Sequence, residues 1–191
     1  MQCTYRLAAG LLLVALSAGT ARAESGTFGL IAGADVATLS PPAPGSGETL
    51  TMRPGTVIGF YAVIPILKSV SFEPELLYVP KYTRRTVAST DTELRIKYVE
   101  LPLLAKMPMF WGIYMTEGVS LGFPVEMRGV ASNLSQITSP DVAMVIGGGY
   151  NVRKKIAVEF RYEGGLRRAV ALDTAPVQRT RAYMALAKLH F

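Results

Sequence analysis

Two pairs of carboxylates are the residues of this chain whose spacing could do chemistry. Glu73 and Glu75 stand two apart in "VSFEPELLYVPK", and Glu159 and Glu163 stand four apart in "IAVEFRYEGG". Paired acids do acid–base work when one is held neutral, the other charged, and both line an open cleft. Acyl transfer asks instead for a nucleophile beside a histidine. The chain has one histidine, His190, next to its last residue, and no serine, histidine and acid arrangement can be built without it. The single cysteine, Cys3, lies at the other end, so no Cys/His cluster is available for a transition metal. "GGGY" at 147–150 falls inside a strand-like run and not between a strand and a helix, which excludes a phosphate loop. The expected catalytic, cofactor and metal residues are therefore none, and the chain is not expected to be an enzyme.

The elements that carry these carboxylates explain why. From Ile156 onward, Ile156, Val158, Phe160 and Tyr162 share one face of a strand, and Glu159, Arg161 and Glu163 share the other. The closing "AYMALAKLHF" repeats the pattern, with Tyr183, Ala185, Ala187, Leu189 and Phe191 on one side and Lys188 and His190 on the other. Such segments are predicted at 27–39, 53–66, 70–83, 92–107, 111–127, 141–151, 156–168 and 179–191. The joins alternate between long (40–52, 84–91, 128–140, 169–178) and short (67–69, 108–110, 152–155). Membrane strands need roughly 9 to 11 residues, against about 5 or 6 in soluble sheets, and membrane barrels carry long loops at one end and tight turns at the other. The expected fold is all-β: an eight-stranded, antiparallel, up-and-down transmembrane β-barrel. An unpaired edge in hydrocarbon is too costly to tolerate, so the last strand should close on the first.

The N-terminus fits export. Arg6, the apolar run 7–19 and the small residues Ala21 and Ala23 read as a secretory signal peptide over 1–23, followed by a barrel domain over 24–191. Loss of Arg6 and Arg22 with that leader lowers the formal net charge from +6 to +4. Half the residues are hydrophobic, yet past the leader no apolar run approaches the 18 residues of a membrane helix. The expected location is the outer membrane.

In that register Asp35, Glu73, Glu75, Lys81, Glu100, Lys106, Glu159, Arg161, Glu163 and Lys188 point inward. The lumen of an eight-stranded barrel is just wide enough for side chains, and buried charges persist only when paired. These residues should form an ionic network that plugs the barrel. Aromatic girdles are expected at both membrane boundaries. Phe28, Phe72, Phe110, Trp111, Tyr150 and Phe191 would form one, and Tyr78, Tyr82, Tyr98, Phe123, Tyr162 and Tyr183 the other. Arginines gather toward the loop end. Arg84, Arg85, Arg167 and Arg168 are candidates for lipid phosphate, which the guanidinium fork suits. The expected partners are outer-membrane lipid, glycolipid phosphates included, and not nucleic acid; the expected state is a monomer.

"GLIAGAD", "GFYAVIPI", "VSFEPELLYVPK", "YVELPLLAKM", "GVSLGF" and "VIGGGYNV" resemble, in order and spacing, the PorT-like outer-membrane barrel domain, loosely called the porin family. The resemblance spans nearly all of the chain past the leader, and "FEPELLY" followed by "YVELPLL" is its most specific part. It implies an eight-stranded barrel in a Gram-negative outer membrane and no particular activity. It also implies that a terminal aromatic helps the barrel-insertion machinery, which makes Tyr183, Leu189 and Phe191 an assembly signal. One residue departs from the pattern: Glu117 points at lipid, unless a bulge resets the register or the residue lies near the interface. The role expected is structural or loop-presenting, with a plugged interior. The alternatives are a narrow channel for small solutes or cations, a membrane enzyme, and a soluble barrel that binds a lipophilic ligand.

Overall fold

A computed structural model describes residues 26–39, 48–87, 90–128, 140–166 and 180–191. The leader and the basic pair Arg167 and Arg168 lie outside them. Eight strands follow one another: β1 (Thr27–Leu39), β2 (Glu48–Leu67), β3 (Val70–Val87), β4 (Thr90–Pro108), β5 (Ile113–Arg128), β6 (Asp141–Arg153), β7 (Ile156–Gly165) and β8 (Thr180–His190). Each pairs antiparallel with its neighbour in sequence, and β8 pairs with β1, so the sheet is a closed barrel. Gly29 lies opposite His190 and Leu39 opposite Thr180, and the amide of Phe191 donates to the carbonyl of Phe28 at 2.9 Å. Hydrogen bonding thus runs to the final residue, as the closing alternation of the sequence requires.

The expected strand centres are all present, but the ends differ on one side. Of the segment 84–91, expected as a loop, 84–87 and 90–91 are strand: β3 and β4 stay paired up to Val87 opposite Thr90. The wall is consequently uneven, with 18 to 20 residues in β2, β3 and β4 against 10 and 11 in β7 and β8. The surplus lifts that side roughly 20 Å further, at about 3.3 Å per residue and a tilt near 40°. "TRRTV" and "TDTEL" lack an apolar face, so hydrophobic alternation gives no sign of a strand there. Threonine and valine suit a strand in water nonetheless.

The polarity of the barrel is inverted relative to a soluble one. Phe160 on the outside is 69 % exposed, whereas Glu73 inside is 0 % exposed and Arg161 3 %. Phe60, Ile66 and Met144 join Phe160 on an apolar outer surface. A closed sheet with this belt has satisfied its backbone internally and turns hydrocarbon-compatible side chains outward, which is the requirement for spanning a bilayer. The chain is an outer-membrane β-barrel.

Most girdle residues project outward, Trp111 being 87 % exposed at a turn where its own φ is 55° and that of Gly112 is 81°. Tyr98 does not. It is fully buried, with Lys81 Nζ 5.1 Å from its ring centroid. Its inward direction follows from the period of two, because Tyr98 shares parity with Glu100. No bulge rescues Glu117 either. The β4–β5 register is unbroken from Tyr98/Pro124 to Pro108/Tyr114, and that of β5–β6 from Ile113 to Gly122. Glu117 is therefore exposed on the outer face.

Candidate functional site: the ionic interior

Two groups of charges stand in the lumen, one above the other, beside a buried apolar cluster that includes Ile31, Leu77 and Leu186. The lower group, toward the short turns, draws on β3, β4, β7 and β8. Arg161 is its centre. Its Nη1 and Nη2 donate to Glu75 Oε2 and Oε1, both at 2.6 Å, in the bidentate geometry that suits a planar fork. Its Nε donates to Glu159. Lys188 Nζ lies 2.5 Å from Glu73 Oε1, 3.1 Å from Glu75 Oε1 and 2.6 Å from Glu159 Oε2. Lys106 Nζ reaches Glu73 Oε2 at 3.1 Å. Hydroxyls take up the remaining capacity of Glu159, with Tyr114 Oη donating at 3.0 Å and Thr116 Oγ1 at 3.1 Å. Three acids thus face three bases, and each carboxylate oxygen accepts from at least one donor. Beneath this group Tyr61 Oη and His190 Nδ1 are joined at 2.5 Å. His190 is held there as a neighbour of the plug, with no serine or acid beside it in a nucleophilic arrangement.

Small residues make the lower group fit. A Cβ on Gly147 would lie 2.7 Å from Thr116 Oγ1 and 2.9 Å from Arg161 Cγ, and one on Gly149 would run into the Tyr114 ring. The "GGGY" run is thereby explained as space for two large side chains from the neighbouring strands.

The upper group, toward the loops, is built differently. Lys81 Nζ sits 2.6 Å from Glu100 Oε1 and 3.6 Å from Glu163 Oε2. Asp35 is fully buried in the same half, and Asp141 accepts from Thr180 Oγ1 at 2.9 Å. Of the four acids here, Lys81 reaches two. Both oxygens of Asp35, both of Glu163, Glu100 Oε2 and Asp141 Oδ1 have no hydrogen-bond partner among the described residues. Tyr98 Oη and Ser120 Oγ are in the same position. Among the described residues no group of three histidine, cysteine or acidic side chains is arranged to hold a metal ion.

All ten of the expected interior residues line the lumen, divided between the two groups. Sequence reasoning missed Asp141, Tyr61, Tyr114, Thr116 and Thr180. Asp141 begins β6, and its parity with Ala143 and Val145, both buried, is the signal that places it inside. The rim arginines divide too. Arg84 lies on β3 in register with Glu93, and Arg85 opposite Thr92, so both stand on the high wall instead of in a loop.

No family model matches the sequence. No curated protein is similar enough to match. Solved structures do match. Neisserial surface protein A aligns at 14 % identity over 88 % of this chain and all of its own, with a TM-score of 0.50. Ail, the attachment invasion locus protein of Yersinia pestis, solved with the heparin analogue sucrose octasulfate, aligns at 11 % identity over the same shares with a TM-score of 0.51. At such identities the likeness is one of fold: the chain has the architecture of these outer-membrane barrels.

Proposed function

We propose that this barrel is a closed scaffold that presents loops and its high β2–β4 wall outside the outer membrane, and that it does so without enzymatic activity. The carrying observation is the lower charge group, in which three acids and three bases fully cross-link β3, β4, β7 and β8 through the lumen. Opening that cross-section would have to break several buried charge pairs at once, and losing one partner of a buried pair costs about 3 to 5 kcal/mol. The motifs quoted above support a place among PorT-like barrels. Planar-bilayer recording tests the closure. The wild-type barrel should show no steady conductance, and regular openings would transfer the reading to the channel alternative, for which the acid-rich upper group would favour cations.

The same reading gives Tyr183, Leu189 and Phe191 a role in assembly. All three turn outward on the strand that seals the barrel, and Phe191 ends the β1–β8 hydrogen bonding. Phe191→Asp should lower the amount of folded barrel in the outer membrane several-fold. An unchanged amount would remove the terminal aromatic from the insertion signal.

A further inference from the structure

The outer face holds one charged side chain where none is expected. Glu117 lies six residues above Trp111 and six below Phe123, a girdle aromatic on either side of it. Six residues rise roughly 15 Å at a 40° tilt, and the apolar band of such barrels is about 25 Å tall, so Glu117 sits near the middle of the bilayer. Ala105 of β4 and Ile146 of β6 stand beside it in register, and Met115 and Val119 lie below and above it on β5. None of these ionises, and Glu117 has no hydrogen-bond or ion-pair partner among the described residues. The described lysines and arginines of the exterior are all at the rims or the short turns, as with Lys97, which is bound to Glu126 at 2.5 Å.

We propose that Glu117 is the centre of a two-fold interface between two copies of this barrel in the membrane. A lipid chain offers the carboxyl no donor, and phosphate headgroups lie outside the apolar band in whose middle it sits. A basic partner residue at this depth would itself be costly to place in hydrocarbon before binding. A second copy brings another Glu117. Two carboxylic acids across a two-fold axis each donate one O–H···O bond and each accept one, so the pair closes on itself without any base. The flanks suit this contact: Ala105 and Gly148 carry little or no side chain, letting the strands approach, and Met115 is flexible enough to fill the gaps around them. The interface replaces the monomer expected from the sequence.

The test is association of the folded full chain in phosphatidylcholine bilayers, followed by energy transfer between donor- and acceptor-labelled copies over a dilution series. Wild type should dimerise. E117Q should do so too, because two amides make the same reciprocal pair. E117L should dissociate about 3- to 20-fold more readily, which corresponds to the 0.6 to 1.7 kcal/mol measured for side-chain hydrogen bonds inside membranes. E117K should fail to pair with itself yet pair with wild type. Heat-modifiable gel migration establishes that each variant is folded, and E117Q against E117L decides the matter even if E117K misfolds. A wild-type barrel that stays monomeric at every dilution, or an E117L that dimerises as tightly as wild type, overturns the proposal.

Discussion

The lower and upper halves of the lumen are built from the same residue types and reach opposite outcomes. Below, three carboxylates meet three cations, one phenol and a threonine hydroxyl, and the donors are shared out among the acceptors. Above, Lys81 reaches two of four acids, and six carboxylate oxygens have no hydrogen-bond partner among the described residues. The difference lies in the side chains opposite each acid. Glu159 looks across at Tyr114 and Thr116, whereas Asp35 faces the backbone around Gly55 and Pro80. A buried ion pair stabilises only when its lone pairs are filled. The lower half therefore reads as a brace, and the upper half as a region held in place by the barrel around it.

The sharpest way to break this comparison is Arg161→Leu. It leaves Glu75 without its bidentate partner and Glu159 with one donor fewer, in a region of no solvent exposure. Removing one partner of a buried pair costs about 3 to 5 kcal/mol, so urea unfolding of the folded barrel should shift by that amount, against under about 1.5 kcal/mol for the lipid-facing Val158→Leu. Equal midpoints would mean that water already fills the lower lumen.

The same kind of change above should have the opposite sign. Glu163→Gln removes one of the two acids that share Lys81 and adds a donor where acceptors lack one. Stability should stay level or rise by about 1 kcal/mol in the same measurement. A loss as large as that of Arg161→Leu would show the two halves to be energetically alike and would end the distinction drawn here.

The smallest effect is expected at the rim. Changing Arg84, Arg85, Arg167 and Arg168 together to glutamine should reduce the extra stability that a glycolipid-containing bilayer gives over a neutral one. Each contact contributes at most about 1 kcal/mol and is screened by salt within about 8 Å at physiological ionic strength. If the quadruple variant keeps the whole glycolipid effect at low salt, these arginines are only a solvated edge.

Alternation was enough to read eight strands, their order and their inward residues, because a half-buried strand has a period of two whichever side is apolar. It failed where that contrast vanishes. Beyond the membrane boundary, β3 and β4 have no apolar face, and the paired segment around Arg84 and Arg85 looked like a loop. It was also misapplied at Tyr98, where an aromatic identity was given more weight than its parity with Glu100. The pairing of Arg161 with Glu75 was out of reach for a different reason: the two lie 86 residues apart. Their meeting depends on how far the strands are staggered around the barrel.

The sequence by itself determined the barrel, its closure at Phe191, the charged lumen and the lone glutamate turned toward lipid. All of these follow from which residues share a face, and a strand settles that within two residues. Only the tertiary structure decided which charge meets which, that the lumen divides into a balanced and an acidic half, and that Glu117 lies midway between the girdles without a bulge to move it. Those depend on stagger, tilt and the space left by residues such as Gly147 and Gly149, which are properties of the closed sheet and of no strand alone.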